Sequence, residues 1–372
     1  MEISRIAVRR MIGAQITTVL FGAAAFSQAG YANTLHVCPT CAHKTIQSAV
    51  NDAASGDTVA VAAGRYVENI TAQGKSLTIQ GAGSPTTSVV AAGRGPVFTL
   101  GSGAAGDANY LITIQGLTIS GGYHDGGTGI GGGVQVRAGS YLHLANSSVV
   151  GNYARVGGGG IGIQTSAGAP QTTITGCVID GNSTNLGKYG GQGGGIIVMP
   201  NSSVAIDSSF ITRNQSTEGG GVLAETGSTV SVSATTIGQN VSHGFGTPVG
   251  PDGGGGGGLE AHGNLSIEGS YIVDNTNDSP EFFGAGLYLS LDATGKAVSV
   301  SNTLIARNTA PGGAGIFAAG VGNPTLVLKN VYVVQNNANG IYYPGVTLVQ
   351  TNTTVKDNVG GNYCDGTHDC TL

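Results

Sequence analysis

Glu225, Glu260 and His262 are the residues whose types and spacing suit chemistry on a polymer. Placed on adjacent rungs of one strand face, Glu225 and His262 become vertical neighbours about 5 Å apart, with Glu260 one rung diagonal to Glu225. Two carboxylates roughly 8 Å apart at the backbone match an inverting glycosidase, one acting as acid and the other as base. An imidazole beside them can tune one carboxyl or serve as the base. Ordinary charge compensation on an apolar column explains the same three residues, and the sequence leaves both readings open. Along the same face Tyr288, Phe317 and Tyr342 form an outward aromatic ladder, suited either to stacking on sugar rings or to packing under the chain's own tail. Gln135 and Arg137 head the two outward columns and are the polar binding candidates. No cofactor or metal site is expected. The Gly253–Gly258 run lacks the following helix and the Lys-Ser or Lys-Thr of a phosphate loop, and His124-Asp125 has no third ligand nearby.

Those columns exist only if the chain is a coil. Eight times between Val149 and Asn358 it repeats an apolar residue, two spacers and an asparagine, ending at Asn152, Asn182, Asn214, Asn240, Asn275, Asn308, Asn336 and Asn358. The interval between asparagines varies from 22 to 35 residues, a solenoid period with variable loops. Eight and ten positions before the asparagine the chain is apolar, as at Val204 and Ile206 or Leu265 and Ile267. That alternation is half-buried strand. A turn residue follows (Asn146, Gly176, Ser208, Gly269, Asn302, Asn330 or Asn352), then a short second strand. A glycine run and a third strand come next, with Val134, Ile161, Ile196, Val222, Leu259, Leu287, Ile316 and Ile341 pointing inward. The asparagines fit a structural role, tolerating a left-handed corner and bonding amide to amide between turns. Cys177 aligns with Ser147, Ser209, Thr235, Ser270 and Thr303, so it fills an internal small-residue stack.

Single coils cannot bury their apolar faces, but stacked ones share a core. Roughly eleven coils at about 4.8 Å give a rod of about 50 Å. Its open ends need covers. Residues 38–56 supply one cap, with Ile46, Ala49, Val50 and Ala53 on one face of a helix over Thr45–Ala54; residues 57–358 form the coils and 359–372 the other cap.

Composition excludes several function classes. Charged residues make up only 9% of the chain, yet one apolar segment alone, Met11 to about Phe26, invites comparison with a membrane span. Behind Arg5, Arg9 and Arg10, and ending at Gly30-Tyr31-Ala32, it reads as a signal peptide over residues 1–32. Cleavage near Ala32 removes three arginines and one glutamate, leaving 12 basic against 19 acidic residues in the 33–372 domain. No basic block remains for nucleic acid. Membrane contact is expected to be peripheral at most, and the protein to be secreted or held in the cell envelope. Disulfides suit that compartment. Cys38–Cys41 and Cys364–Cys370 are the expected pairs, one at each end; a redox pair at Cys38 and Cys41 would need a βαβ unit that is absent here.

The stretch Thr45 to Ala54, then Gly56-Asp57-Thr58-Val59, then Gly64-Arg65-Tyr66-Val67-Glu68-Asn69, resembles the opening of pectin-lyase-like right-handed parallel β-helices. The repeated apolar-x-x-Asn followed by Gly-Gly-small-apolar resembles polymorphic outer-membrane proteins. The resemblance covers Cys38 to Cys370 and implies an all-β, single-stranded right-handed parallel β-helix with an N-terminal capping helix. It implies no one activity, because that superfamily holds lyases, hydrolases, esterases and adhesins. The Asn-Thr-Asp, Gly-His-Gly and Gln-Asp-Thr signatures of its polygalacturonase-like and pectinesterase-like members are missing. The expectation is therefore a non-catalytic, adhesin-like protein binding a glycan or cell-surface component. The rivals are a polysaccharide lyase or glycoside hydrolase acting on an acidic or plant-type polysaccharide, and a structural spacer.

Overall fold

The computed structural model describes residues 32–365 apart from 128, 188–189, 245–254, 280–283, 293–297, 312 and 314. The chain is a single-stranded right-handed parallel β-helix, the hand that parallel crossovers adopt. One coil shows how the repeat folds. Ser140–Ala145 is a strand of the first sheet, Ser148–Val150 of the second, Tyr153–Ala154 of a short third and Ile161–Ile163 of the fourth. Among the described residues the first sheet has twelve strands, the second and fourth eleven each and the third six. Every strand pairs in parallel with its counterparts one coil away, as in Val149↔Ile179 and Val134↔Ile161. Leu142, Leu144, Val149, Ile161 and Ile163 all point inward and are fully buried, so one core runs the length of the stack.

Two corners per coil are left-handed. The first falls on the expected turn residues, including Asn146, Ser208, Asn302, Asn330 and Asn352. The second falls one residue before each repeat asparagine, at Gly151, Gly181, Arg213, Gln239, Asp274, Arg307, Gln335 and Asp357. The repeat asparagines therefore do not make the corner themselves, contrary to expectation. They form the ladder instead. Asn240 Nδ2 donates to Ile211 O at 2.9 Å and to Asn275 Oδ1 at 3.0 Å, and its Oδ1 accepts from the backbone N and Nδ2 of Asn214 at 3.0 Å each. The same pattern climbs from Asn152 to Asn358. The glycine run packs against this ladder: a Cβ on Gly221 would lie 2.5 Å from Gly258 O, so no larger residue fits without moving the neighbouring coil. Cys177 is buried in its small-residue stack, with Sγ 3.3 Å from Thr175 O, and burial pushes the thiol up to about 11; it is packing and not a nucleophile.

The N-terminal cap is the helix Ile46–Asp52, which buries Ile46, Ala49 and Val50. Thr45 Oγ1 caps it by accepting from Ser48 N at 3.2 Å. Both ends are anchored to the coils. The Glu68 carboxylate accepts from Ile46 N and Gln47 N at 2.8 and 2.9 Å, and Lys75 Nζ donates to the carbonyls of Val50, Asn51 and Ala53. Cys38–Cys41 is a disulfide. Cys364 is disulfide-bonded; Cys370, its expected partner, lies outside the described residues, as do residues 1–31 of the expected signal peptide. No described helix is long and apolar enough to cross a membrane.

Candidate functional site

The outer face of the fourth sheet carries every site residue expected from the sequence, but it is not an open face. Leu223, Glu260, Tyr288 and Phe317 occupy one column on consecutive rungs. Pointing away from the core, they are nonetheless buried. Over the coils up to Leu223 the reason is a second layer, and beyond them Tyr288 and Phe317 cover one another. Ile130, Gly157, Gln192 and Glu218 pair in parallel to form a narrow ladder of their own, and Ile130 packs with Ile197 and Leu223 in a satellite apolar cluster.

Glu260 is therefore 0% exposed, not the groove-lining carboxylate that strand alternation implies. Its Oε1 lies 2.7 Å from His262 Nε2, while Oε2 has no hydrogen-bond partner among the described residues. Glu225 stands on the rung before His262, whose backbone N donates to Ala224 O at 2.8 Å. Glu218 joins them, and the repeat alignment misses it because it lies in the variable segment ahead of Gly219; its only sequence signal is an acid directly before a glycine run. Its Oε2 accepts from Gln192 Nε2 at 2.7 Å. Burial and then the Glu260 carboxylate push Glu218 up to about 7. Burial also raises Glu225. For His262, burial acts to lower the pKa, but the Glu260 hydrogen bond and the Glu260, Glu225 and Glu218 carboxylates outweigh it and hold the imidazolium above its usual value.

All three shifts have one sign for stability. Where the folded state holds a proton that the unfolded chain releases, stability falls as pH rises. The window opens at the usual Glu value near 4.5 and extends through about 7 for Glu218. The melting temperature should fall between pH 5 and pH 8, and Glu218→Gln should flatten the lower part of that slope. A wild-type melting temperature that rises across this range would contradict the assignment.

Tyr288, Phe317 and Tyr342 are also corrected. Tyr288 and Phe317 stack with centroids 5.0 Å apart at 9°, and Phe317 and Tyr342 at 5.2 Å and 15°. Consecutive rungs place the rings face to face, so those faces are spent on one another and not on a sugar. Tyr288 and Phe317 are buried and Tyr342 is partly so.

Gln135 and Arg137, at the other end of the same face, line an open cleft of about 850 Å³. Three coils build it. The loop containing Asp107 and Asn109 forms one wall, His124 another and the Gln164–Ala167 segment a third. Among the described residues Arg137 has no carboxylate partner; its guanidinium lies over Gly103, where a Cβ would come within 2.2 Å of Nη2. Asn109 Oδ1 and Ser166 Oγ are buried atoms without hydrogen-bond partners. His124 Nδ1 is 2.9 Å from Ile130 O. A carbonyl only accepts, so Nδ1 carries the proton and Nε2 is left as an acceptor. Asp125 pairs with Arg94 at 2.7 Å, which removes it as a partner for His124. Asp107, the carboxylate in the lining, is hydrogen-bonded to Ser102. Among the described residues no group of three or more His, Cys, Asp or Glu is arranged to hold a metal ion.

No protein-family profile and no curated protein sequence matches the chain. Solved structures similar to it include the ORF18 protein of Geobacillus virus E2, at 16% identity and TM-score 0.46 over 86% of this chain and 57% of that one. Pectate lyase Pel9A is similar at 15% and 0.42 over 88% and 80%, and pectin methylesterase PemA from Erwinia chrysanthemi at 11% and 0.38 over 67% and 80%. The chain thus spans a little over half the length of the viral protein. The β-helix itself rests on the strand register above.

Proposed function

We propose that the protein is an exported, non-catalytic β-helix that binds an acidic glycan in the cleft headed by Arg137. The observation that carries this reading is the Arg137 guanidinium, without a carboxylate partner among the described residues, in an open cleft that the exposed Gln164 also lines. A planar cation suits one carboxylate held through two parallel hydrogen bonds. The amides of Gln135, Gln164 and Asn109 suit sugar hydroxyls, which both donate and accept. A polyuronate combines those two chemistries along one chain. Processing near Ala32 and release or retention at the cell envelope belong to the same proposal, with peripheral membrane contact at most.

Cleavage of such a glycan is the second reading, favoured by the cluster of Glu218, Glu225, Glu260 and His262, in which Glu218 is pushed up to about 7, the range that suits a general acid. Against it, Glu260 is sealed from solvent and the cluster lies under the covering ladder. Affinity electrophoresis in polygalacturonate and in dextran, with product release measured in parallel, separates these readings. Binding predicts retardation by polygalacturonate alone, weaker at high salt because the partner charge is solvent-accessible, and no product. Equal retardation in both gels, or in neither, would sink the proposal. Product release that disappears in Glu225→Gln/Glu260→Gln would replace binding by catalysis.

A further inference from the structure

A second face carries features that the Arg137 cleft does not explain. The first residue of each second-sheet strand points outward, giving the column Val178, Phe210, Thr236, Tyr271, Leu304, Tyr332 in register. Phe210, Tyr271 and Tyr332 are 54%, 53% and 54% exposed, the opposite of the buried ladder on the fourth sheet. They occupy alternate rungs, about 9.6 Å apart, with Thr236 and Leu304 between them. At that spacing, and unlike Tyr288 and Phe317, the rings cannot stack on one another. Among the described residues none of the three has a ring partner, so their faces remain available.

The column borders a groove of about 460 Å³ lined by Tyr271, Leu304 and Tyr332 on one side and Asn302, Asn330 and Asn352 on the other. Asn302 Nδ2 donates to Glu268 Oε1 at 2.6 Å, and Asn330 Nδ2 to Asn302 Oδ1 at 2.8 Å. That chain of bonds orients the amides and leaves Asn330 Oδ1 and the Asn352 amide to face a ligand. Charges on these strands and corners pair among themselves: Asp180 with Arg213 at 2.6 Å, Asp274 with Arg307 at 2.8 Å, Lys356 with Asp357 at 3.8 Å. The face is thus apolar rings and amides, with the Glu268 carboxylate at its edge held by hydrogen bonds from Ser301 and Asn302, which complements a polyhydroxylated chain.

We infer that this face is a second glycan site, for a neutral, extended β-1,4-linked polysaccharide lying along the helix axis. In such a chain successive sugars are turned over, so every second sugar presents the same apolar face. The disaccharide repeat is close to two rungs of the β-helix, which places one ring under every second sugar. A coiled α-linked glucan cannot meet three rings in a line. The site is independent of Arg137.

The test is depletion of the full chain from solution by microcrystalline cellulose and by chitin, with polygalacturonate binding measured on the same samples. The wild type should be retained by at least one of the two solids. Tyr271→Ala or Tyr332→Ala should each lower the association constant about tenfold through loss of one stacked ring. The triple variant with Phe210→Ala should not be retained, while its melting temperature and polygalacturonate binding stay unchanged because the side chains are exposed. Wild-type chain left in solution by both solids, or a triple variant retained as well as wild type, would overturn the inference. So would a triple variant that only converts a dimer to a monomer, since the face would then join two copies of this chain.

Discussion

Asn240→Ala is expected to lose about 3 to 5 kcal/mol of stability, because removing one partner of a buried hydrogen bond costs about 1–3 kcal/mol for each group left unsatisfied. Four bonds go at once. The backbone N–H of Asn214 loses its acceptor, the Asn214 and Asn275 amides lose their rung partner, and Ile211 O loses a donor. All sit at zero exposure inside the stack, where water cannot take their place. The control is Asn358→Ala. Asn358 ends the ladder and is partly exposed, so water can enter the space it leaves and satisfy Asn336 and Val333, and the loss should be clearly smaller. Urea unfolding followed by circular dichroism compares them. Equal midpoints would mean that the ladder is a consequence of the coil and not a source of its stability.

Arg137→Gln should weaken binding of a polyuronate by about 10- to 100-fold, the range of a charged hydrogen bond worth about 1.5–3 kcal/mol. Glutamine keeps an amide donor but loses the charge and the two parallel N–H groups. Arg137→Lys should recover only part of the loss, since a point charge does not reproduce the planar fork. Neither change should alter the melting temperature, because no carboxylate among the described residues pairs with Arg137 and its side chain is only partly buried. Isothermal titration with an oligogalacturonate reads all three proteins. Unchanged affinity in Arg137→Gln would place the ligand elsewhere.

The architecture was legible because each of its devices is local and repeated. Asparagine every 22 to 35 residues, apolar alternation eight and ten positions earlier, and glycine next to the inward strand each recur in register. The capping helix was equally plain from the spacing of Ile46, Ala49 and Val50. What alternation cannot reveal is whether an outward side chain meets water. Ile197 and Leu223 point outward as expected, yet the ladder of Ile130, Gly157, Gln192 and Glu218 shows that the segments ahead of their glycine runs form a covering layer. Those segments differ in length from coil to coil, so no alignment on the asparagines lines them up. Glu218 went unseen for the same reason. The Arg137 cleft joins walls from three consecutive coils, from Gly103 to Ala167, a proximity that only the stacking supplies. Phe210, Tyr271 and Tyr332, by contrast, each stand four residues before a repeat asparagine. Their column was within reach of the sequence.

The most direct test of the Arg137 cleft is a crystal structure of the protein soaked with a trigalacturonate. The account predicts a uronate carboxylate against the Arg137 guanidinium, with sugar hydroxyls on the exposed Gln164 amide. Sugar bound over Glu225 and His262 with the covering ladder displaced, or a cleft that stays empty while the ligand binds in solution, would contradict it.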